Sequence, residues 1–174
     1  MLSEAEPVFP NNVYGKQKLL AEQRCLEILP ETVCLRLSWM YSGESLPGDH
    51  GHFLTTLNAA LNRDTQPLTW PVHDRRGLTD VEAVVKNLPK ALSLPGGAWN
   101  FGSANHANTY ETVKELLTRL GMAAALARLT PNEEAFADNP RDISMDLTKP
   151  EAAGIFFPST LEGLISVLKK EETL

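Results

Sequence analysis

Residues 10–24 read PNNVYGKQKLLAEQR, and this stretch decides the fold. A Pro-Asn-Asn turn leads into a run with helical spacing of apolar residues, which places Tyr14 four residues before Lys18. Side chains at i and i+4 of a helix lie on one face, about one turn apart. An ammonium group beside a phenol favours the phenolate and prepares it for proton transfer to or from a carbonyl. The same spacing also arises on ordinary exposed helices, so the surrounding motifs must decide.

Composition places the chain among ordinary globular proteins with one good core, because 43% of its 174 residues are hydrophobic and 22% are charged. A net charge of −6 without a basic stripe argues against nucleic acid or a membrane surface as the main partner. Cys25 and Cys34 lack metal-ligand spacing, and we expect buried thiols in a reducing compartment rather than a disulfide. Without a membrane-length apolar run or a leader pattern, the expected compartment is the cytoplasm.

The order of elements predicts an α/β protein. The stretch 32–39 is apolar on both faces, which is typical of a strand in a parallel sheet that is covered on both sides. The remaining expectations come from apolar periodicity and from Gly, Pro and capping residues. They are helices at 13–29, 53–61, 81–88, 109–120 and 160–170, strands at 67–72 and 98–102, a loop at 41–51, a polar turn at 73–79, and an acidic loop at 131–140.

Further motifs follow the first helix in order. PNNVYGKQK at 10–18, with Ala21-Glu22 behind it, resembles the active-site helix of the extended short-chain dehydrogenase/reductases, and most of all that of the dTDP-4-dehydrorhamnose reductase group. LRLSWMY at 35–41, HDRRGLT at 73–79, WNFG at 99–102 and NPRDISMD at 139–146 are similar to later motifs of that group. Asn139 stands where the family has an arginine, so the sugar is left open.

The resemblance implies a partial Rossmann-like fold, of the extended short-chain dehydrogenase type, with a small substrate-binding domain. Residues 1–50 would be the C-terminal part of the Rossmann-like domain, and residues 51–174 would mainly bind substrate. The family's Gly-rich dinucleotide turn is missing from the sequence, as is its upstream Ser or Thr, because Ser3 lies too close to Tyr14. We therefore expect NADP or NAD to bind in the intact enzyme rather than to this chain alone. The strand at 32–39 would need another copy of the chain or a complementary N-terminal half as its partner.

The resemblance also implies site residues. Tyr14 would be the general acid, and Lys18 would contact the nicotinamide ribose and support Tyr14, so both count as catalytic and as cofactor-binding. Trp39 would stack on the nucleotide sugar or base, or else fill the core. Arg75 and Arg76 would clamp a diphosphate, or else form a solvated loop.

Arg36 and three of the histidines are not expected to bind a ligand or a metal. Arg36 lies within an apolar strand and is expected to pair with an internal carboxylate rather than with a ligand phosphate. His50, His52 and His73 show no metal-ligand spacing, so no metal site is expected.

The implied activity is reduction of a 4-keto nucleotide sugar with hydride from NADPH or NADH. Two alternatives stay open at this point. One is a non-catalytic, reductase-like binding or regulatory subunit, which the missing Gly-rich turn favours. The other is a nucleotide-sugar epimerase or dehydratase, because these enzymes share the Tyr and the Lys.

Overall fold

A computed structural model describes residues 1–43, 51–63 and 65–171, and within these ranges the chain has a mixed α/β fold. The loop expected at 41–51 falls largely on residues 44–50, which lie outside the described residues, as does His50. None of the described helices has the length and apolar character needed to cross a bilayer. The elements in order are α1 Val13–Ile28, β1 Val33–Leu37, β2 Trp39–Tyr41, α2 Phe53–Leu61, β3 Leu68–Pro71, β4 Asp74–Arg76, β5 Leu78–Asp80, α3 Val81–Ala91, β6 Gly97–Phe101, α4 Thr109–Arg119, α5 Ala123–Leu126, β7 Leu129–Asn132, β8 Arg141–Ile143, α6 Thr148–Ala152 and α7 Thr160–Glu171.

The strands associate in parallel pairs: β1 with β6, β2 with β5, β3 with β7, and β4 with β8. Parallel pairing with intervening helices is the arrangement expected of an α/β protein. The stretch predicted as one strand at 32–39 divides at Ser38, because β1 and β2 follow different partners. The expectation that this strand finds no partner within the chain is wrong, since β6 pairs with all of β1.

The predicted helices agree closely with those observed, and their caps explain where they begin. The Asp80 side chain accepts a hydrogen bond from the Glu82 amide at 3.1 Å at the start of α3. Asn108 and Glu111 form a reciprocal capping box at the start of α4, with distances of 2.8 and 3.0 Å. These bonds satisfy amides that the first helical turn leaves without a partner, so local sequence suffices to place both helix starts.

Several short elements were not predicted. The expected polar turn at 73–79 consists of β4 and β5, separated by Gly77, and the expected acidic loop at 131–140 begins within β7. The sequence also gave no indication of β8 or α6 as regular elements. Three-residue strands such as β4 and β8 exist because of their pairing with each other, and neither carries a strand pattern long enough to be recognised locally.

The main core gathers apolar side chains from α2, α4, α7 and the ends of β2, β3 and β5. A smaller cluster of Val84, Ala91, Phe101 and Ile155 packs on one face of the β1–β6 pair. On α1 no residue is buried. The prediction of two buried thiols is therefore wrong, because Cys25 lies exposed on α1 and Cys34 on β1 is half-buried.

The Tyr41 hydroxyl is a buried polar group in the main core that has no hydrogen-bond partner among the described residues. Burial raises the pKa of this phenol well above its usual range, and the charge of Asp80 adds to the effect. We predict that Tyr41→Phe leaves the free energy of unfolding unchanged or raises it by about 1 kcal/mol, because an unpaired buried hydroxyl opposes folding. Urea unfolding followed by circular dichroism measures this difference.

Thr79 provides the matched control for Tyr41, because it is also fully buried but its hydroxyl is paired. The Ser103 amide donates to Thr79 Oγ1 at 2.7 Å, and Ser38 Oγ is a second partner. Thr79→Val is expected to lower the free energy of unfolding by about 1–3 kcal/mol, since it leaves the Ser103 amide unpaired. A loss of similar size for Tyr41→Phe would contradict the prediction.

Candidate functional site

Two open clefts meet beside the N-terminal segment. The first, here called the Trp39 cleft, has a volume of about 640 Å³ and includes Trp39, Arg76 and Arg141 in its lining. The second, the Tyr14 cleft, has a volume of about 710 Å³ and includes Tyr14 and Lys18. The clefts are neighbours because they share five lining residues: Val8, Pro10, Arg36, Leu37 and Ile143.

Tyr14 and Lys18 lie on the same face of α1, at its beginning. The Asn12 side chain caps the helix by accepting a hydrogen bond from the Gly15 amide at 2.8 Å. The Lys18 ammonium lies 5.5 Å from the centroid of the Tyr14 ring, a cation–π contact. The tyrosine is 70% exposed, so its hydroxyl is open to a ligand in the cleft.

Trp39 begins β2 and is 41% exposed, so it does not belong to the core. Its ring packs edge-on against Phe53, with centroids 6.5 Å apart, and Phe53 itself is buried. On the cleft side, the Arg76 guanidinium lies 5.2 Å from the indole centroid. The cleft therefore contains an indole ring that packs against the buried Phe53 and has a cation beside it.

A buried carboxylate holds the cations of the Trp39 cleft. Asp74 is 4% exposed; Arg76 Nε lies 3.3 Å and Arg141 Nε 3.1 Å from its Oδ1. The Thr109 hydroxyl donates to the other carboxylate oxygen at 3.1 Å. Burial, followed by repulsion from Arg76, lowers the pKa of Arg141, but a guanidinium stays protonated in proteins. Two cations share one anion here, which leaves the cluster of Asp74, Arg76 and Arg141 with a net positive charge.

Arg75 and Arg76, predicted as a pair, are not brought together. Adjacent residues of a strand point to opposite faces, and Arg75 does not line the Trp39 cleft. Arg75 instead forms an ion pair at 2.9 Å with Asp142, which does line it. The second cation at the cleft is Arg141, which pairs in register with Asp74 across β4 and β8. Sequence analysis missed Arg141. The two-residue period of a strand would separate Arg75 from Arg76, but the sequence predicted a polar turn at 73–79 and not a strand.

Phe136 holds Arg141 from the other side. The Arg141 guanidinium lies 3.6 Å from the centroid of the Phe136 ring. Phe136 has a φ of 64°, the left-handed region that is unfavourable for a bulky residue. Such strain persists where surrounding contacts fix the conformation, and it is enriched at ligand sites.

The chain was compared with known proteins. Residues 2–172 match the RmlD substrate binding domain family. The chain belongs to this family. The match confirms the resemblance to the reductases, and a search of curated protein sequences found no match.

Solved structures similar to this RmlD substrate binding domain are nucleotide-sugar enzymes. They include dTDP-4-dehydrorhamnose reductase from Bacillus anthracis str. Ames in complex with NADP, at 18% identity and a TM-score of 0.73, covering 97% of this chain and 58% of the other. MoeE5 in complex with UDP-glucuronic acid and NAD has 19% sequence identity and a TM-score of 0.67, and the match covers 99% of this chain and 60% of MoeE5. The dTDP-glucose 4,6-dehydratase from Bacillus anthracis str. Ames in complex with NAD has 16% sequence identity and a TM-score of 0.71, and the match covers 99% of this chain and 56% of the dehydratase.

These likenesses confirm a Rossmann-like α/β fold. The chain spans less than two thirds of the length of each of the three proteins. Activity, substrate and partner are therefore matters of proposal for this RmlD substrate binding domain.

Among the described residues, few polar groups could contact a dinucleotide. Tyr14 and Lys18 offer a hydroxyl and an ammonium that suit ribose hydroxyl groups. A diphosphate usually sits on free amides at a helix N-terminus behind a Gly-rich turn, but at α1 Asn12 already occupies the Gly15 amide. No Gly-rich turn opens a helix within residues 1–43, 51–63 and 65–171, and in the same ranges no three His, Cys, Asp or Glu side chains cluster as metal ligands would.

Proposed function

We propose that this chain is the substrate-binding portion of an NAD(P)-dependent reductase that acts on the 4-keto group of a nucleotide-linked deoxysugar. The observation that carries the proposal is the Trp39 cleft, where a half-exposed indole and two arginines, Arg76 and Arg141, lie next to the Tyr14–Lys18 face. A nucleotide sugar has the complementary parts: a flat base, an anionic diphosphate and a sugar that carries the reacting carbonyl.

Arg76 and Arg141 are the residues that we assign to the diphosphate. A guanidinium matches phosphate oxygens with two parallel hydrogen bonds, and the shared Asp74 keeps both groups oriented before the ligand arrives. Trp39 would stack on the base or on the sugar, since its exposed face lies in the same cleft.

Tyr14 is the residue that we assign to proton transfer. When bound, NADPH or NADH supplies hydride to the carbonyl carbon, and the Tyr14 hydroxyl would give its proton to the carbonyl oxygen. The Lys18 ammonium lies 5.5 Å from the Tyr14 ring. It would attract the negative charge that this transfer leaves on Tyr14, and it is placed to contact ribose hydroxyl groups.

The free edge of β1 is the place that we assign to a nucleotide-binding polypeptide. On the far side of β6, the Glu4 carboxylate accepts from the Asn100 amide at 2.8 Å, and the Lys149 ammonium donates to the Ala98 carbonyl at 2.6 Å. Those contacts close the outer edge of β6, whereas within the described residues no strand other than β6 pairs with β1. A complementary N-terminal half would add its strand there, and a homo-oligomer through the exposed α1 is the alternative.

A non-catalytic binding or regulatory subunit is the second candidate function. The capped α1 N-terminus and the missing Gly-rich turn favour it, because both leave the cofactor diphosphate without a site on this chain. Both candidate functions assume that the cofactor diphosphate binds to another polypeptide. Calorimetry with NADPH tests this assumption, because measurable binding to this chain alone would contradict it. An epimerase or dehydratase would keep the nucleotide-sugar site but yield no net oxidation of NADPH.

The experiment that tests the substrate site is calorimetry with thymidine diphosphate. We predict that Arg76→Met weakens binding by about 10- to 150-fold, because it removes a charge-assisted hydrogen bond worth roughly 1.5–3 kcal/mol. The fold should persist, since Arg141 and Thr109 continue to satisfy Asp74.

Arg75→Met is the matched control for Arg76→Met. It removes the same charge from the adjacent residue of β4, but Arg75 itself does not line the cleft and reaches it only through its ion pair with Asp142. Its affinity for thymidine diphosphate should fall less than that of Arg76→Met, because the change leaves Asp142 without its partner but removes no cation from the lining. Equal affinities for both variants, or no binding by the unaltered chain, would refute the assignment of the diphosphate to the Trp39 cleft.

A further inference from the structure

Two thiols outside the assigned chemistry line the Tyr14 cleft. Cys25 is exposed on α1, Cys34 is half-buried on β1, and both are free. On α1 the lining residues Tyr14, Lys18, Glu22 and Cys25 recur at helical spacing, so Cys25 belongs to the same face as the candidate proton donor. Neither cysteine has a part in the proposed reaction, which leaves their proximity unexplained by it.

The register between α1 and β1 places Cys25 and Cys34 on facing elements of the Tyr14 cleft. Arg36 bonds Glu22 through two contacts of 2.7 and 2.9 Å, which fixes the helix against the strand. Cys25 lies three residues after Glu22 on that helix face, and Cys34 lies two residues before Arg36 on that strand face.

The chain reverses direction in the short connection between α1 and β1, where the Thr32 amide donates to the Leu29 carbonyl at 2.9 Å. Movement toward the end of α1 therefore corresponds to movement toward the start of β1. Cys25 and Cys34 consequently lie on the same side of the Glu22–Arg36 pair, on facing elements of one cleft.

From this geometry we propose that Cys25 and Cys34 are a redox-active pair that closes to an intramolecular disulfide joining α1 to β1. The oxidant class is a small-molecule disulfide such as oxidised glutathione. This proposal does not depend on the proposed function, because it concerns the attachment of α1 to its strand whatever ligand the clefts take.

The reaction proceeds in two exchanges that balance. The exposed Cys25 thiolate attacks one sulfur of oxidised glutathione, forms a mixed disulfide and releases one glutathione thiolate. The Cys34 thiolate then attacks the Cys25 sulfur and releases the second glutathione. Two protein thiols are oxidised, one glutathione disulfide is reduced to two thiols, and the protons of Cys25 and Cys34 pass to the glutathione thiolates.

The second exchange should be the slower and the more pH-dependent step. Burial raises the pKa of the Cys34 thiol, with Glu22 and then Cys25 adding to the effect. A larger fraction of Cys34 is therefore protonated at neutral pH than for an unhindered thiol, and closure should accelerate as the pH rises.

The test is oxidation of the full chain by oxidised glutathione, read by intact mass and by thiol titration, with and without urea. We expect the folded chain to become lighter by two hydrogen atoms and to lose both free thiols, with a Cys25–Cys34 cross-link on peptide mapping. The equilibrium constant for closure should be at least about tenfold higher in the folded chain than in urea, and oxidation should raise the melting temperature by about 5 °C.

Cys34→Ser serves as the control, because it keeps the exposed thiol and removes the resolving one. It should stop at a single glutathione adduct on Cys25 with an unaltered melting temperature. Three results would overturn the proposal: a lasting adduct on Cys25 of the unaltered chain, a disulfide between two chains, or closure that is no more favourable folded than unfolded.

Discussion

Replacing Tyr14 with phenylalanine is expected to lower the rate of ketone reduction by about 10²- to 10⁴-fold, the range attributed to a positioned proton donor. The change removes only the hydroxyl and keeps the aromatic ring that lies 5.5 Å from the Lys18 ammonium. Affinity for thymidine diphosphate should not change, because Tyr14 does not line the Trp39 cleft. The measurement is loss of NADPH absorbance with a 4-keto nucleotide-linked deoxysugar, using this chain together with its complementary nucleotide-binding polypeptide.

Tyr110→Phe is the matched control for this experiment. Tyr110 lies on α4, packs half-buried against the main core and lines neither cleft, so the loss of its hydroxyl should leave the rate unaltered. A Tyr14→Phe variant with the rate of the unaltered protein would remove Tyr14 from the mechanism. An unaltered protein that oxidises no NADPH would instead favour the non-catalytic subunit or the epimerase or dehydratase.

Features that depend on near neighbours in the sequence were predictable. The start of α1 follows from the Asn12 cap, and its Tyr14–Lys18 face follows from four-residue spacing, since both are settled within one or two turns of helix. The partner of Arg36 was also foreseen in kind, because a cation within an apolar strand requires an anion. The sequence did not name Glu22 as that anion, since the choice depends on how α1 lies over β1.

The cationic part of the Trp39 cleft was beyond local reasoning. Arg76 and Arg141 meet only because β4 and β8 pair in the register that sets Asp74 opposite Arg141. Strands of three residues carry almost no periodic signal, so neither the strands nor their register could be derived from composition. The predicted site therefore included Arg75, which does not line the cleft, and omitted Arg141, which does.

Burial along α1 was misjudged for a different reason. Its apolar residues follow a helical period, which normally indicates a face packed on a core. In the described structure none of them is buried, and Val13 and Ile28 are 71% and 82% exposed. The periodicity records a face suited to burial without naming its partner, and that limitation also explains the error over Cys25.

With so little burial along α1, the Glu22–Arg36 pair becomes its principal polar attachment to β1. The Arg36 side chain is 24% exposed and the Glu22 side chain is 17% exposed. They share two hydrogen bonds of 2.7 and 2.9 Å. We predict that Arg36→Met lowers the free energy of unfolding by about 2 kcal/mol, because it leaves the Glu22 carboxylate half-buried without its cation. This value is below the range for fully buried pairs, since water still reaches both groups. Urea unfolding followed by circular dichroism gives the difference.

Arg24→Met on the same helix supplies the control. Arg24 pairs with Glu27 at the same 2.7 Å, but their side chains are 67% and 60% exposed, so its loss should change the free energy of unfolding by less than about 0.5 kcal/mol. The double variant Glu22→Leu with Arg36→Met should recover most of the stability lost by Arg36→Met, because no lone charge is left behind. If Arg36→Met costs no more than Arg24→Met, the pair does not hold α1 on β1. The placement of Cys25 and Cys34 on facing elements would then lack the contact that holds α1 against β1.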